Sequence, residues 1–218
     1  PTESRSLAPP VAAVDASLGM ALVALLKALI RGVPAAVFLA GPANRVRSVL
    51  DPLFTLPLAT SAVTLGFGFI IALDKPPLNL RTSPMLVPLA HTLVAFPFVV
   101  RSLLPALRSI PPKFRESAAV LGAGPWKVWC TVDLPILGRA LVVAAVFAFT
   151  ISLGEFGATV FVARPQTPTM PLAIYRFLGQ PGAVNYGQAM AMSSILMLVS
   201  AAGFMLMEKF RSGHGGEF

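Results

Sequence analysis

Long apolar stretches alternate with short polar breaks along this chain. A helix rises ~1.5 Å per residue, so about twenty apolar residues cover the ~30 Å of hydrocarbon in a bilayer. On that rule, residues about 17–40, 52–73, 85–104, 136–163 and 188–207 are predicted to be five membrane-crossing helices. The pattern specifies an all-α integral membrane fold in a single transmembrane domain, 1–218. Three spans carry irregularities. Gly66 and Gly68 in the second would let another helix approach closely, and Pro97 in the third predicts a kink. Lys27 and Arg31 lie one turn apart inside the first, each costing ~2.5–3.5 kcal/mol at a bilayer centre. They read as a pathway pair, or as cations that face protein or snorkel to a surface.

The breaks are of different kinds. Residues 41–51 with Arg45 and Arg47, 74–84 with Pro76, Pro77 and Asn79, and 164–187 with Pro165, Pro168, Pro171, Pro181 and Gly182 read as loops. Residues 1–16 lack the basic-then-apolar pattern of a signal peptide, and 212–218 read as a frayed tail. The island at about 108–135 is polar yet helix-prone. Pro111 and Pro112 suit a helix start, and Phe114, Ser117, Ala118 and Leu121 follow the i, i+3, i+4, i+7 stripe. Gly122 and Gly124 suit its end, and Pro125 opens a second short helix carrying Trp126 and Trp129. Backbone ahead of Pro135 is biased away from the helical region. The prediction is a water-exposed helix-turn-helix knob between membrane rods.

Composition supports the membrane reading: 56% of residues are hydrophobic, 12% are charged, and mean hydropathy is +0.77. A net charge of +8 raises the question of nucleic acid, but the cations are not interleaved with stacking aromatics, which excludes that partner. They read as topology signals instead. Ten of them (Arg45, Arg47, Arg101, Arg108, Lys113, Arg115, Lys127, Arg139, Lys209 and Arg211) fall on one side of the predicted spans. Five (Arg5, Lys75, Arg81, Arg164 and Arg176) fall on the other. The positive-inside rule then puts the knob and the C-terminus in the cytoplasm, and five crossings put the N-terminus outside. The single cysteine, Cys130, excludes an internal disulfide and reads as a packed thiol.

The island also carries a family signature. Glu116-Ser117-Ala118-Ala119, Gly122, and Val132-Asp133-Leu134-Pro135 resemble the EAA loop of permeases of binding-protein-dependent ABC importers, with Ser117 and Val132 in place of the usual Ala and Ile. The resemblance implies a type I importer permease fold in a bacterial or archaeal cytoplasmic membrane. It also implies that the loop docks into a groove of a cytosolic ATPase dimer. Phe114, Glu116, Ser117, Ala118, Ala119, Gly122, Trp126, Trp129, Leu134 and Pro135 are the expected coupling residues. The other partners it implies are an extracytoplasmic solute-binding protein, a second permease half, fused or separate, and the lipid bilayer.

Chemistry of catalysis is missing from the sequence. No Gly-x4-Gly-Lys-Ser/Thr occurs, so ATP and its Mg belong to the partner ATPase; the chain itself is predicted to be no enzyme and to need no cofactor or metal. His91 lies within a span and reads as a packing residue or a path residue; His214 lies in the tail. Glu155 is the one acid inside a span, ~27 Å along the fourth helix from Leu137, hence near its outer end. Flanked by Gly154 and Gly157, it reads either as a gate or vestibule residue or as a packing acid. Glu155, Gly154, Gly157 and His91 form the candidate translocation path.

The Gly154-Glu155-Phe156-Gly157-Ala158-Thr159 run resembles permeases for thiamine, iron(III), molybdate and sulfate. The segments around Pro168, Tyr186 and Glu208 resemble most the thiamine and iron(III) branch. In that branch two such halves are often fused, and the absence of an initiating Met fits a C-terminal half. Thiamine or iron(III) import is therefore the first expectation and a sulfate or molybdate permease the alternative. An ATPase-independent carrier using Glu155, Lys27 and Arg31, and a purely structural membrane subunit, are readings of other classes.

Overall fold

The structure is a computed structural model that describes residues 9–74, 80 and 83–212, with side chains described up to residue 210. These residues form ten α-helices: α1 (Pro10–Ala40), α2 (Arg45–Ala59), α3 (Ala62–Leu73), α4 (Leu86–Ser109), α5 (Pro112–Val120), α6 (Pro125–Val128), α7 (Leu134–Leu153), α8 (Thr159–Val162), α9 (Met170–Leu178) and α10 (Ala183–Ser212). A π-helical turn, Trp129–Asp133, joins α6 to α7.

The centre of the bundle is α1, α4 and α7, packed through small residues. Ala13, Ser17, Ala21, Ala24, Ala28, Gly32 and Ala36 make a buried stripe along α1. In a bilayer, small interfacial residues let backbones approach until dispersion holds them. At Gly32 the approach is tightest, since a Cβ there would lie 2.5 Å from Val99 Cγ1. Val99, Val100, Leu103, Leu104 and Leu107 of α4 and Leu137, Ala144 and Ala148 of α7 complete this core.

Side-chain pairings fix the direction of each helix. Gly32 meets Val99 and Leu39 O accepts from Arg108 3.4 Å away, so α1 and α4 run parallel. The chain between them must therefore cross from one end of the bundle to the other. The broken pair α2 and α3 does this, with a 105° bend between the two helices. The expected continuous span at 52–73 is thus corrected to two short rods. Pro52 and Pro57 remove amides from α2, and Ser61 stands as the N-cap of α3. Four other helices are long and apolar enough to cross: Pro10–Ala40, Leu86–Ser109, Pro125–Leu153 and Ala183–Phe210. Ser152 packs beside His91, so α7 runs antiparallel to α4; Leu196 and Val199 cluster with Phe149 and Leu153 while Gly203 meets Val146, so α7 runs antiparallel to α10 as well. The knob, the α1–α2 turn and the C-terminal end of α10 consequently share one end of the bundle.

Other departures have local causes. The fourth expected span, 136–163, starts earlier and breaks after Leu153 at Gly154, before α8. The expected loop 164–187 contains α9, because Pro171 sits in a first helical turn, where its missing amide costs nothing. Its buried Ala173 and Phe177 pack with Ala189 and Met192 of α10 and with Ala13. Helix α4 runs unbroken through Pro97 and Pro105. A Cβ on Gly66 would meet Ala158, while nothing lies within 4 Å of one on Gly68. Most of the 74–84 loop, Arg5, Lys75, Arg81 and His214 lie outside the described residues.

Candidate functional site: an exposed knob and a buried polar clasp

The knob is built from local signals. Pro112 lies in the first turn of α5, and Gly122 adopts a left-handed φ of 81° just beyond its end. Ala123 N donates to Ala118 O (3.0 Å) and Gly122 N to Ala119 O (2.9 Å), the paired bonds of a Schellman motif. Gly124 and Pro125 then start α6, which runs through the π-helical turn straight into α7. The second short helix of the sequence reading is therefore the near end of the fourth membrane rod. Leu134 N donates to Trp129 O, and Asp133 and Leu134 keep helical dihedrals ahead of Pro135. Widening by one residue re-registers the hydrogen-bond ladder where Pro135 offers no amide.

No residue of α5 is buried. Arg115 ties it to the rod, its Nε donating to Asp133 Oδ1 at 2.8 Å, with Asp133 buried. Phe114, Glu116, Ser117, Ala119, Gly122, Trp126, Leu134 and Pro135 are exposed, and Ala118 is half-buried. Trp129 is half-buried and packs against the α1/α4/α7 core. Val120 and Leu121, which sequence reasoning did not name among the coupling residues, are each 87% exposed. With Lys113, Glu116 and Ser117 they line an open concavity of about 610 Å³. Cys130 is exposed rather than packed.

At the far end of α7 the polar groups are buried. His91 contacts Ser152 Oγ (2.8 Å) through Nδ1 and Thr159 Oγ1 (2.7 Å) through Nε2. Thr159 Oγ1 donates to Glu155 O at 3.0 Å, so Nε2–H donates to Thr159 and Nδ1 accepts from Ser152. Glu155 sits on the break after α7, not on a helix, and its Oε1 accepts from Ala158 N at 2.7 Å. Gly154 caps α7, and Gly157 comes close to α3, where a Cβ would lie 3.0 Å from Ala62 Cβ. The four candidate path residues thus come together as a clasp joining α4, α7, α8 and α3. Among the described residues no cluster of three potential metal ligands occurs.

A profile described as "Binding-protein-dependent transport system inner membrane component" matches residues 32–211. The chain belongs to that family. It is 31% identical to the molybdenum transport system permease protein ModB of Haemophilus influenzae, over 86% of this chain and 88% of the relative. It is 37% identical to ModB of Mycobacterium tuberculosis, over 78% of this chain and 68% of the relative. The sulfate transport system permease protein CysT of Escherichia coli is 34% identical over 71% of this chain and 59% of the relative. Among solved structures, the fold matches a bacterial alginate ABC transporter with a TM-score of 0.70 at 17% identity, covering 94% of this chain and 78% of that one. It matches the MetNI methionine ABC transporter at 0.68 and 19%, covering 92% and 95%. The fold is that of type I importer permeases. The chain is a membrane permease subunit and not an enzyme, ATP hydrolysis belonging to a separate subunit. The sequence leaning toward thiamine or iron(III) gains nothing from these relatives, whose names carry molybdenum and sulfate.

Proposed function

We propose that this permease forms part of an ATP-driven importer for a small tetrahedral oxyanion of the molybdate or sulfate type. It would receive the solute from an extracytoplasmic binding protein and pass it inward by alternating access. The observation that carries the reading is the exposed knob, a helix fixed at a Schellman glycine and hooked by Arg115 to Asp133 at the root of a membrane rod. A cytosolic ATPase dimer that seats α5 would move it as a lever, and the Arg115–Asp133 pair would pass that motion into α7. The exposed apolar pair Val120 and Leu121 supplies the kind of anchor that dominates docking interfaces.

The charge distribution supports a cytoplasmic orientation of the knob. Arg45, Arg47, Arg108, Lys113, Arg115 and Lys127 gather at the knob end, against Arg164 and Arg176 among described residues at the other. A second permease half, another copy or a sister segment, would complete the path. The oxyanion substrate is favoured over thiamine or iron(III) by the relatives at 31–37% identity.

The decisive test purifies the chain with its ATPase and binding protein and asks which solute raises ATP hydrolysis. Stimulation by molybdate or sulfate is expected; stimulation by thiamine or ferric ion alone would return the reading to the other branch. Uptake driven by an ion gradient without nucleotide would refute the ABC mechanism. Gly122→Leu should abolish both uptake and ATPase co-purification while membrane insertion persists, because a side chain at a φ of 81° costs ~1–2 kcal/mol and opens the turn.

A further inference from the structure

The clasp and the knob leave Lys27 and Arg31 unexplained. Arg31 lines a cavity of about 350 Å³ that opens where the bent α2/α3 pair splays from α1 and α4. Phe54 and Pro57 of α2, Phe69 of α3 and Phe96 of α4 form its walls, and Arg31 is its one charged lining residue. Gly32, next along α1, packs on Val99 in the middle of α4, so the guanidinium stems from mid-membrane depth. Among the described residues Arg31 makes no hydrogen bond or ion pair, and it is exposed in the single chain. One turn toward the far end, Lys27 Nζ reaches Met85 Sδ at 3.5 Å, at the start of α4.

A cation at that depth cannot face lipid uncompensated, so it faces protein or a water-filled path. Among the described residues no acid reaches it. Arg101 pairs with Asp51 (3.4 Å) and Arg115 with Asp133, both nearer the knob end. Thr92, a further lining residue, already donates its hydroxyl proton to Pro88 O (2.6 Å), leaving the guanidinium donors as the anion ligands.

We propose that Arg31, approached past Lys27, is the anion contact within the translocation path. This rests on the oxyanion reading and adds to it a residue and a route. A single guanidinium with no fixed counter-acid holds a tetrahedral dianion strongly enough to admit it. It also leaves most of the dianion's oxygens to water, so release follows when the path opens inward. A cationic solute would be repelled at the same place.

The test reconstitutes the complete complex, with its ATPase and binding protein, into proteoliposomes and follows radiolabelled molybdate and sulfate. Arg31→Gln should lower accumulation by about tenfold or more, whereas Arg31→Lys, which keeps the charge, should recover most of it. Both variants should retain ATP hydrolysis stimulated by the loaded binding protein, since the knob is untouched. Wild-type rates in Arg31→Gln would overturn the assignment. So would loss of complex assembly in both variants, which would make Arg31 a packing residue against a partner. If the wild-type complex accumulates neither anion, the oxyanion reading itself fails and this contact with it.

Discussion

The two ends of α7 are anchored in opposite ways. At the knob end one hydrogen-bonded ion pair, Arg115 to Asp133, holds a helix that is otherwise in water. At the far end His91 is buried between two hydroxyls, Glu155 caps the next turn through Ala158 N, and Gly66 lets α3 lie against Ala158. A half-exposed ion pair contributes little stability, whereas buried polar groups are costly to orphan. One end is therefore lightly held, a handle under the proposed function, and the other a fixed pivot.

Variants at the two ends should separate stability from coupling, and the largest effect belongs to the pivot. His91→Ala removes a buried ring, orphans the Ser152 hydroxyl and strips Thr159 of the bond it accepts, so it should destabilise by about 3–5 kcal/mol. Thermal unfolding in detergent reads this as a lower Tm, and an unchanged Tm would break the comparison. Next comes Gly66→Ala, whose Cβ would fall 2.7 Å from Ala158 Cα. Separating the two backbones should cost about 1–3 kcal/mol. Gly68→Ala is the control, because a Cβ there meets nothing within 4 Å. Asp133→Asn weakens the one tether of α5 and should cost only about 1 kcal/mol, yet it should uncouple ATP hydrolysis from uptake.

The same contrast explains what the sequence disclosed. The handle is written in contiguous residues: Pro112 starts a helix, Gly122 ends it, and Pro125 starts the next, each by backbone preferences that need no tertiary partner. Its tether was not legible, since Arg115 and Asp133 are 18 residues apart and follow no helical period. Hydropathy counted the residues of the crossings but not their breaks. The α2–α3 bend falls at Thr60 and Ser61 inside an apolar run, and α9 was hidden because Pro171 signals a helix start as readily as a stop. At the pivot, His91, Gly154, Glu155 and Gly157 were grouped as a candidate path without their contacts. Their convergence needed the antiparallel pairing of α4 and α7, which places Ser152 beside His91.

The smallest structural perturbation offers the sharpest functional test. Leu121 is 87% exposed, so Leu121→Ser exchanges one solvated group for another and should leave Tm within about 0.5 kcal/mol of stability. It lies beside Val120 on the concavity that α5 presents, immediately before the Schellman glycine that fixes the direction of the helix end. If that surface seats in the ATPase, removing a central apolar anchor should weaken binding of the two subunits by about tenfold or more. Pull-down of the ATPase by detergent-solubilised permease measures the loss directly. Val120→Ser should repeat it, because the two side chains share the concavity. Should both variants bind the ATPase as wild type does, the handle would have to be grasped through Phe114 and Trp126 instead, on the remaining exposed aromatic face of the knob.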